Sequence, residues 1–70
     1  MPGIGAKIRE ARKKAGLTQV QLANAAGISR SYLADAEGDR YNPSVKTLVS
    51  IAKVCGVDLN FLVEMSEIQT

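Results

Sequence analysis

Apolar residues recur along most of the chain at the spacing of a buried helix face, with polar residues between them. Ile4, Ile8, Ala11 and Ala15 follow the i, i+4, i+7, i+11 pattern of one helical stripe. Similar stripes return later, at Leu22, Ala23 and Ala26, at Leu33, Ala36 and part of Tyr32, at Val45, Leu48, Ile51, Ala52 and Cys55, and at Leu59, Phe61, Leu62 and Met65. No stretch shows the sustained alternation of an exposed-face strand, so the pattern predicts an all-α chain of five short helices.

Glycines and oxygen-bearing side chains stand where these helices are predicted to end and begin. The glycines are Gly16, Gly27, Gly38 and Gly56, and the capping residues are Thr18, Ser29, Ser44 and Asp58. Gln21 lies three residues after Thr18, which predicts the glutamine form of a capping box. Pro43 disfavours helix at Asn42, so the segment GDRYNP is predicted to be a polar loop.

The second and third predicted helices are joined by a tight turn around Gly27. Two short helices that meet near a right angle through a glycine-containing turn form a helix-turn-helix. Ala23 is small where such helices approach, and Gly27 adopts positive φ without steric cost. A helical hairpin that only packs shows similar residues, so this pattern alone leaves both interpretations open.

Charge is distributed unevenly although the formal net charge of the 70 residues is only +2. Residues 1–14 carry five basic side chains against one acidic, whereas residues 56–70 carry three acidic side chains and none that is basic. Such asymmetry orients a protein on a polyanion. It also occurs in proteins whose basic helix face is simply solvated, and charge alone does not separate the two.

The sequence contains few of the residues from which metal, nucleotide-binding and catalytic sites are built. Cys55 is the single cysteine, there is no histidine, and Cys55 is predicted to be a small core residue. The GIG at residues 3–5 has no strand before it and is interpreted as a flexible N-terminus rather than a phosphate loop. We therefore expect no metal, no cofactor and no enzymatic activity.

The sequence also offers no signal for a membrane or for secretion. No apolar run approaches the roughly 18 residues of a membrane span, and the N-terminus lacks the apolar stretch of a secretory signal. A cytoplasmic location without membrane contact is the simplest expectation.

Four stretches in order carry a resemblance to a known family: IREARKKAGLTQVQLA, GISRSYLADAEGD, NPSVKTLVSIAKVCGV and DLNFLV. From Ile4 to about Leu62 the chain resembles the Cro/C1-type (XRE-like) helix-turn-helix domains of phage and bacterial repressors. The stretch SRSYLADAE is similar to that of the biofilm-type repressors. The resemblance implies a compact five-helix, lambda-repressor-like domain over residues 1–63, with residues 64–70 as a tail. Ala36 departs from it, because the family commonly has a larger apolar residue there, and looser packing is expected.

The resemblance implies that the third helix enters the DNA major groove as the recognition helix. Carried onto this chain, the residues that meet base edges are Ser29, Arg30, Ser31, Ala34 and Asp35. Arg30 is the strongest candidate because a guanidinium can bond bidentately to guanine, although a phosphate contact or a solvated position is the alternative. Asp35 either accepts from cytosine, repels phosphate, or pairs with Arg30 at a spacing that is poor for a helix.

Contacts with DNA phosphates are implied for a second set of residues: Thr18, Gln19, Tyr32, Arg40, Tyr41, Asn42, Ser44 and Lys46. Gln19 stands at the start of the second helix, where the family holds the DNA backbone and the helix dipole favours an anion. For Tyr32, packing against the core is the alternative. Arg12 and Glu37 are implied to form an internal ion pair that ties the first helix to the third, and neither is then a DNA ligand.

A single recognition helix covers few base pairs, and domains of this type usually dimerise. The predicted homodimer surface is the C-terminal end, with Leu59, Phe61, Leu62, Val63 and Met65, although Leu59 and Leu62 also suit the core. The leading prediction is a transcriptional repressor that binds a (pseudo)palindromic operator in double-stranded DNA. The alternative is an antitoxin-like or other protein-interaction module, with a regulatory protein as partner, that retains the fold.

Overall fold

The computed structural model describes residues 3–63. Five helices make up this part of the chain, which contains no strand: α1 Ile4–Lys14, α2 Gln19–Ala26, α3 Arg30–Glu37, α4 Val45–Cys55 and α5 Leu59–Val63. The all-α prediction is confirmed, and each predicted helix is present. None of these described helices has the length and apolar character needed to cross a membrane.

The helix boundaries follow the predicted caps. Thr18 Oγ1 accepts from the Gln21 amide at 3.1 Å while the Gln21 side chain accepts from the Thr18 amide at 2.9 Å, which completes the capping box. Gly27 ends α2 in the left-handed conformation, with φ of 75°. Gly38 follows α3 but has φ of −90°, and the left-handed residue is instead the next one, Asp39, with φ of 60°.

The core lies at the centre of the five helices, and each helix contributes one large side chain that is completely buried. These are Ile8, Leu22, Leu33, Ile51 and Leu62. Burying such a side chain stabilises the fold by about 1.5–3 kcal/mol. Ala23, in the helix-turn-helix, is also buried and leaves room for α3 to approach α2.

Among the predicted core positions of the described residues, two are exposed and several, Cys55 among them, are only half-buried. Val45 is 69% exposed because it is the first residue of α4 and extends past the core that Leu48 and Ile51 fill. Ala15 is exposed because α1 ends at Lys14 and Ala15 is its C-cap. Cys55, the last residue of α4, is only half-buried at the edge of the core.

The glycine-rich start of α1 is a packing surface, and its interpretation as a flexible N-terminus is wrong. Gly5 is buried, and a Cβ atom there would lie 2.5 Å from the carbonyl oxygens of Ala36 and Glu37. The backbones of α1 and α3 therefore approach each other at Gly5. Ala36 is completely buried beside this approach, so the small residue does not leave a solvent-exposed gap.

Candidate nucleic-acid interface

The helix α3 has one polar outer face and one face turned to the core. Arg30, Ser31 and Asp35 are exposed, and Ala34 is half-buried between them. Leu33 is completely buried on the opposite face. The structure therefore brings the predicted base-contacting residues together on one accessible surface.

The first turn of α3 is held by Ser29. Its Oγ accepts from the Tyr32 amide at 3.0 Å and so caps the helix. The side chain remains exposed, and a hydroxyl that accepts one hydrogen bond still has its own proton to donate. The predicted role at the DNA is compatible with the cap.

Glu37 is the one buried charged residue of the described chain, and it is enclosed by donors. Arg12 Nε donates to Glu37 Oε2 at 2.7 Å, and Arg12 Nη2 donates to Oε1 at 3.1 Å. Arg9 adds a guanidinium whose Nε lies 3.7 Å from Oε1. The structure thus contains the Arg12–Glu37 ion pair between α1 and α3 that the resemblance implies. Arg12 also donates to the carbonyl of Leu17, which ties the pair to the α1–α2 connection.

Gln19 connects this buried pair to the start of α3. Its Nε2 donates to Glu37 Oε1 at 3.1 Å, and its Oε1 accepts from Arg30 Nη1 at 3.1 Å. The orientation of the amide is determined by its partners, because a carboxylate only accepts and a guanidinium only donates. A continuous hydrogen-bonded chain therefore runs from Arg12 through Glu37 and Gln19 to Arg30. Sequence reasoning assigned Gln19 to phosphate and did not foresee its link to Arg30.

Asp35 pairs with Arg40, and its alternative pairing with Arg30 is not the one found. The Arg40 Nε to Asp35 Oδ1 distance is 3.4 Å, and the side chains are 71% and 52% exposed. Exposed pairs of this kind contribute about 0–1 kcal/mol, so Arg40 exchanges Asp35 for another anion at little cost. Arg30 Nη1 instead donates a hydrogen bond to Gln19 Oε1 of α2.

The loop after α3 presents a second polar surface next to the first. Arg40, Tyr41 and Asn42 are all exposed. Tyr41 packs edge-on against Tyr32 of α3, with ring centroids 4.8 Å apart and an interplanar angle of 73°. This ring pair packs the loop against α3 and accounts for the half-buried position of Tyr32.

The remaining predicted phosphate ligands lie at helix starts. Thr18 and Ser44 are exposed, but each hydroxyl oxygen accepts a first-turn amide as a cap. Ser44 additionally donates its proton to Thr47 Oγ1 at 3.1 Å. The Ser44 side chain is therefore occupied by α4, whereas Lys46 in the same turn is exposed.

The predicted dimer surface needs one correction and has one part outside the described residues. Leu62 is completely buried in the core, so it offers no surface to a second chain. Leu59, Phe61 and Val63 are half-buried against the same core, and Met65 lies beyond residue 63. The Phe61 ring also has two lysine neighbours from α1, with Lys7 Nζ 4.5 Å and Lys14 Nζ 5.3 Å from its centroid.

Within residues 3–63, reactive and metal-ligating side chains form no second cluster. Burial raises the pKa of the Cys55 thiol, so it is protonated near neutral pH and a weak nucleophile. Among residues 3–63, no group of three or more acidic or cysteine side chains is placed to hold a metal ion. The polar surface of α2, α3 and the following loop remains the candidate site.

Asp39 is a residue of this region that sequence reasoning missed. Its carboxylate accepts from the amides of Gly5 at 3.0 Å and Gly3 at 3.3 Å, at the start of α1. An aspartate after a helix-ending glycine is a weak local signal for a left-handed residue. No local pattern reveals its partners, which lie more than 30 positions earlier in the chain.

Comparison with known proteins identifies relatives in Bacillus phage phi105. The immunity repressor protein of Bacillus phage phi105 is 52% identical over 60 residues, which are 86% of this chain and 42% of that protein. This chain therefore spans less than half of that repressor. The ImmF control region 10 kDa protein of the same phage is 50% identical over 66 residues, covering 94% of this chain and 72% of that protein.

A solved structure and a family model agree with these relatives. The crystal structure of the biofilm regulator SinR in complex with DNA matches with a TM-score of 0.80 and 35% identity, over 84% of this chain and 95% of that one. The model of a family described as helix-turn-helix matches residues 8–62. The chain belongs to the Cro/C1-type (XRE-like) helix-turn-helix family.

Proposed function

We propose that this chain is a sequence-specific, double-stranded DNA-binding transcriptional regulator that represses by occupying an operator. The observation that carries the proposal is the chain of hydrogen bonds from buried Glu37 through Gln19 to Arg30. These hydrogen bonds hold Arg30, the first residue of α3, on the exposed side of that helix. An arginine that is only solvated at the surface would not require a hydrogen-bonded connection to a buried carboxylate.

Arg30 is proposed to contact a guanine. Its Nη1 is bonded to Gln19, which leaves the other guanidinium donors for a base edge. A bidentate arginine–guanine pair contributes about 1–3 kcal/mol of discrimination against other bases. Ser29, Ser31, Ala34 and Asp35 would contact neighbouring bases.

Gln19 is proposed to contact a DNA phosphate at the same time. Only one of its two Nε2 protons is used by Glu37, so the second is available at the start of α2. The positive end of the α2 dipole favours an anion at this position. Gln19 would then contact a DNA phosphate, Glu37 of the buried ion pair and Arg30 at the same time. Correct placement of the protein on the DNA backbone would thereby be coupled to the contact between Arg30 and a base.

The second phosphate-binding surface is proposed to be the loop after α3. Arg40, Tyr41, Asn42 and Lys46 are exposed, and the side chains of Arg40 and Tyr41 contact α3. Arg40 is held by Asp35 only through a weak exposed pair, which a phosphate would replace. These residues would set the register of α3 on the DNA.

A homodimer is proposed as the form that binds the operator. Two copies would place their recognition helices in successive major grooves about 34 Å apart, which predicts a two-fold symmetric site. The half-buried Leu59, Phe61 and Val63 on α5 are the proposed contact, with Leu62 beneath them in the core.

The test is selection of bound sequences from random DNA duplexes by the whole chain, followed by affinity measurements at several salt concentrations. We expect a symmetric preferred sequence and a logarithm of affinity that falls linearly with the logarithm of salt concentration. Absence of sequence preference, or an affinity that salt leaves unchanged, would refute the proposal. Recovery of a stoichiometric protein partner by a chain that binds no DNA would favour the interaction-module alternative.

A further inference from the structure

Asp39 adopts an unusual backbone conformation directly after the recognition helix. It is the only residue other than glycine with positive φ in the described chain, at 60°. The left-handed region costs an L-residue roughly 1–2 kcal/mol, although aspartate tolerates it better than most. Such a conformation persists when several surrounding interactions hold it in place.

The interactions that hold Asp39 lie on α1. Oδ1 accepts from the Gly5 amide at 3.0 Å and Oδ2 accepts from the Gly3 amide at 3.3 Å. Gly3 is the N-cap of α1 and has no side chain with which to cap it. Asp39 therefore caps α1 from a distant part of the chain, with its negative charge at the positive end of the helix dipole.

The start of α1 is shaped to receive this side chain. A Cβ atom on Gly3 would lie 2.5 Å from Asp39 Oδ1, and a Cβ atom on Gly5 would lie 2.5 Å from the carbonyl oxygens at the end of α3. A serine or aspartate at position 3 would cap α1 locally, without positive φ at position 39. The observed arrangement instead connects α1 to the residue between α3 and the following loop.

This connection determines where the loop leaves the recognition helix. The Asp39 amide donates to Ala36 O at 3.2 Å, and the Arg40 amide donates to Asp35 O at 2.9 Å. The backbone on both sides of Asp39 is thus bonded to α3 while its side chain is bonded to α1. The backbone from which Arg40 and Tyr41 extend is therefore fixed in position. The Asp39 carboxylate beside them is hydrogen-bonded to the amides of α1.

We propose that Asp39 is a positioning residue for DNA binding, which holds Arg40, Tyr41 and Asn42 at the phosphate backbone through its cap on α1. The inference rests on the proposed function. It gives the N-terminal turn of α1 a part in DNA affinity although that turn is not proposed to touch DNA.

The main variant for the test is Asp39→Gly, because glycine removes the carboxylate and still adopts positive φ freely. Asp39→Asn is the conservative variant, since its amide oxygen can accept from one α1 amide and asparagine tolerates the left-handed region. Gly3→Ala displaces the carboxylate without changing Asp39. Asp58→Gly is the matched control, because Asp58 accepts from the Asn60 amide at 3.4 Å at the start of α5.

Each variant is measured on the selected duplex by the slope of log affinity against log salt concentration and by phosphate-ethylation interference, at a temperature where circular dichroism shows it folded. For Asp39→Gly and Gly3→Ala we expect weaker binding and a slope smaller in magnitude by about 0.9 per half-site, since Arg40 is the one basic residue of the loop and each lost arginine–phosphate contact changes the slope by about 0.9. Ethylation interference should disappear only at the DNA phosphates that the loop after α3 contacts, and the base-pair preferences should be retained. Asp39→Asn should have an affinity and a salt slope close to those of the unsubstituted chain. Asp58→Gly should leave the salt slope and the interference pattern unchanged.

The inference is overturned if Asp39→Gly lowers thermal stability but keeps the original slope and interference pattern, because Asp39 then only stabilises the fold. It is also overturned if Asp58→Gly reduces the slope as much. The proposed function fails separately, before any variant is made, if the unsubstituted chain shows no sequence preference or if its affinity does not depend on salt concentration.

Discussion

Replacement of Glu37 by glutamine tests the buried ion pair on which the candidate site rests. The Glu37 side chain is 1% exposed and that of Arg12 is 13% exposed, so the substitution leaves a guanidinium inside the domain without a counter-charge. Removing one partner of a buried pair costs about 3–5 kcal/mol. Glutamine retains one acceptor for Arg12, which places the expected loss near the lower limit, at about 3 kcal/mol.

That loss is large for a domain of this size. A 70-residue domain has a total stability on the order of 4–10 kcal/mol. The assay is urea unfolding followed by far-ultraviolet circular dichroism. With a slope of about 1 kcal/mol per molar urea, the midpoint should fall by about 3 M while the slope stays constant.

Two comparisons make the result specific to the buried pair. Glu10→Gln removes the exposed acidic partner of a pair in which Lys7 Nζ lies 3.9 Å from Glu10 Oε1, and should change stability by less than about 1 kcal/mol. Arg12→Met combined with Glu37→Met should lose less stability than Glu37→Gln, because no unpaired charge remains inside. A Glu37→Gln loss as small as that of Glu10→Gln would refute the reasoning.

Four further outcomes follow from single residues. Gly27→Ala should destabilise by about 1–2 kcal/mol in thermal unfolding, because φ is 75° and only conformation, not space, opposes the methyl group. Gly5→Ala should destabilise more than Gly27→Ala in thermal unfolding, by at least about 1–3 kcal/mol of overpacking, since its Cβ would meet backbone oxygens at 2.5 Å. Ser29→Ala should cost about 1 kcal/mol in urea unfolding through loss of the α3 cap. Because burial raises the pKa of the Cys55 thiol, its alkylation at pH 8 should be slower in the folded chain than in urea, and equal rates would contradict the assigned burial.

Local chemistry made much of the fold predictable from the sequence. The capping box joins Thr18 and Gln21, which are three positions apart, and it is present. The left-handed end of α2 depends on Gly27 itself and is also present. The apolar period located buried Leu33 and Ile51 correctly. It failed at Val45, because periodicity identifies a face of a helix but not where along that face the core ends.

The connections within the candidate site were less predictable because they join residues distant in sequence. Gln19 and Arg30 are 11 positions apart, and Asp39 and Gly5 are 34 apart. Only the packing of α1 and α2 against α3 brings these donors and acceptors within hydrogen-bond distance. The Arg12–Glu37 pair was expected from family resemblance, since no spacing rule relates residues 25 positions apart.

The most direct test of the central claim compares the unsubstituted chain with Arg30→Ala on the selected duplex and on duplexes in which each base pair is replaced in turn. Because the structure holds Arg30 through Gln19 at the exposed start of α3, we expect Arg30→Ala to abolish preference at one guanine-containing base pair per half-site. The affinity difference lost there should be about 5- to 150-fold, corresponding to about 1–3 kcal/mol, with preferences at other positions retained. An equal loss of affinity for all duplexes, with every preference intact, would contradict the account and identify Arg30 as a phosphate ligand.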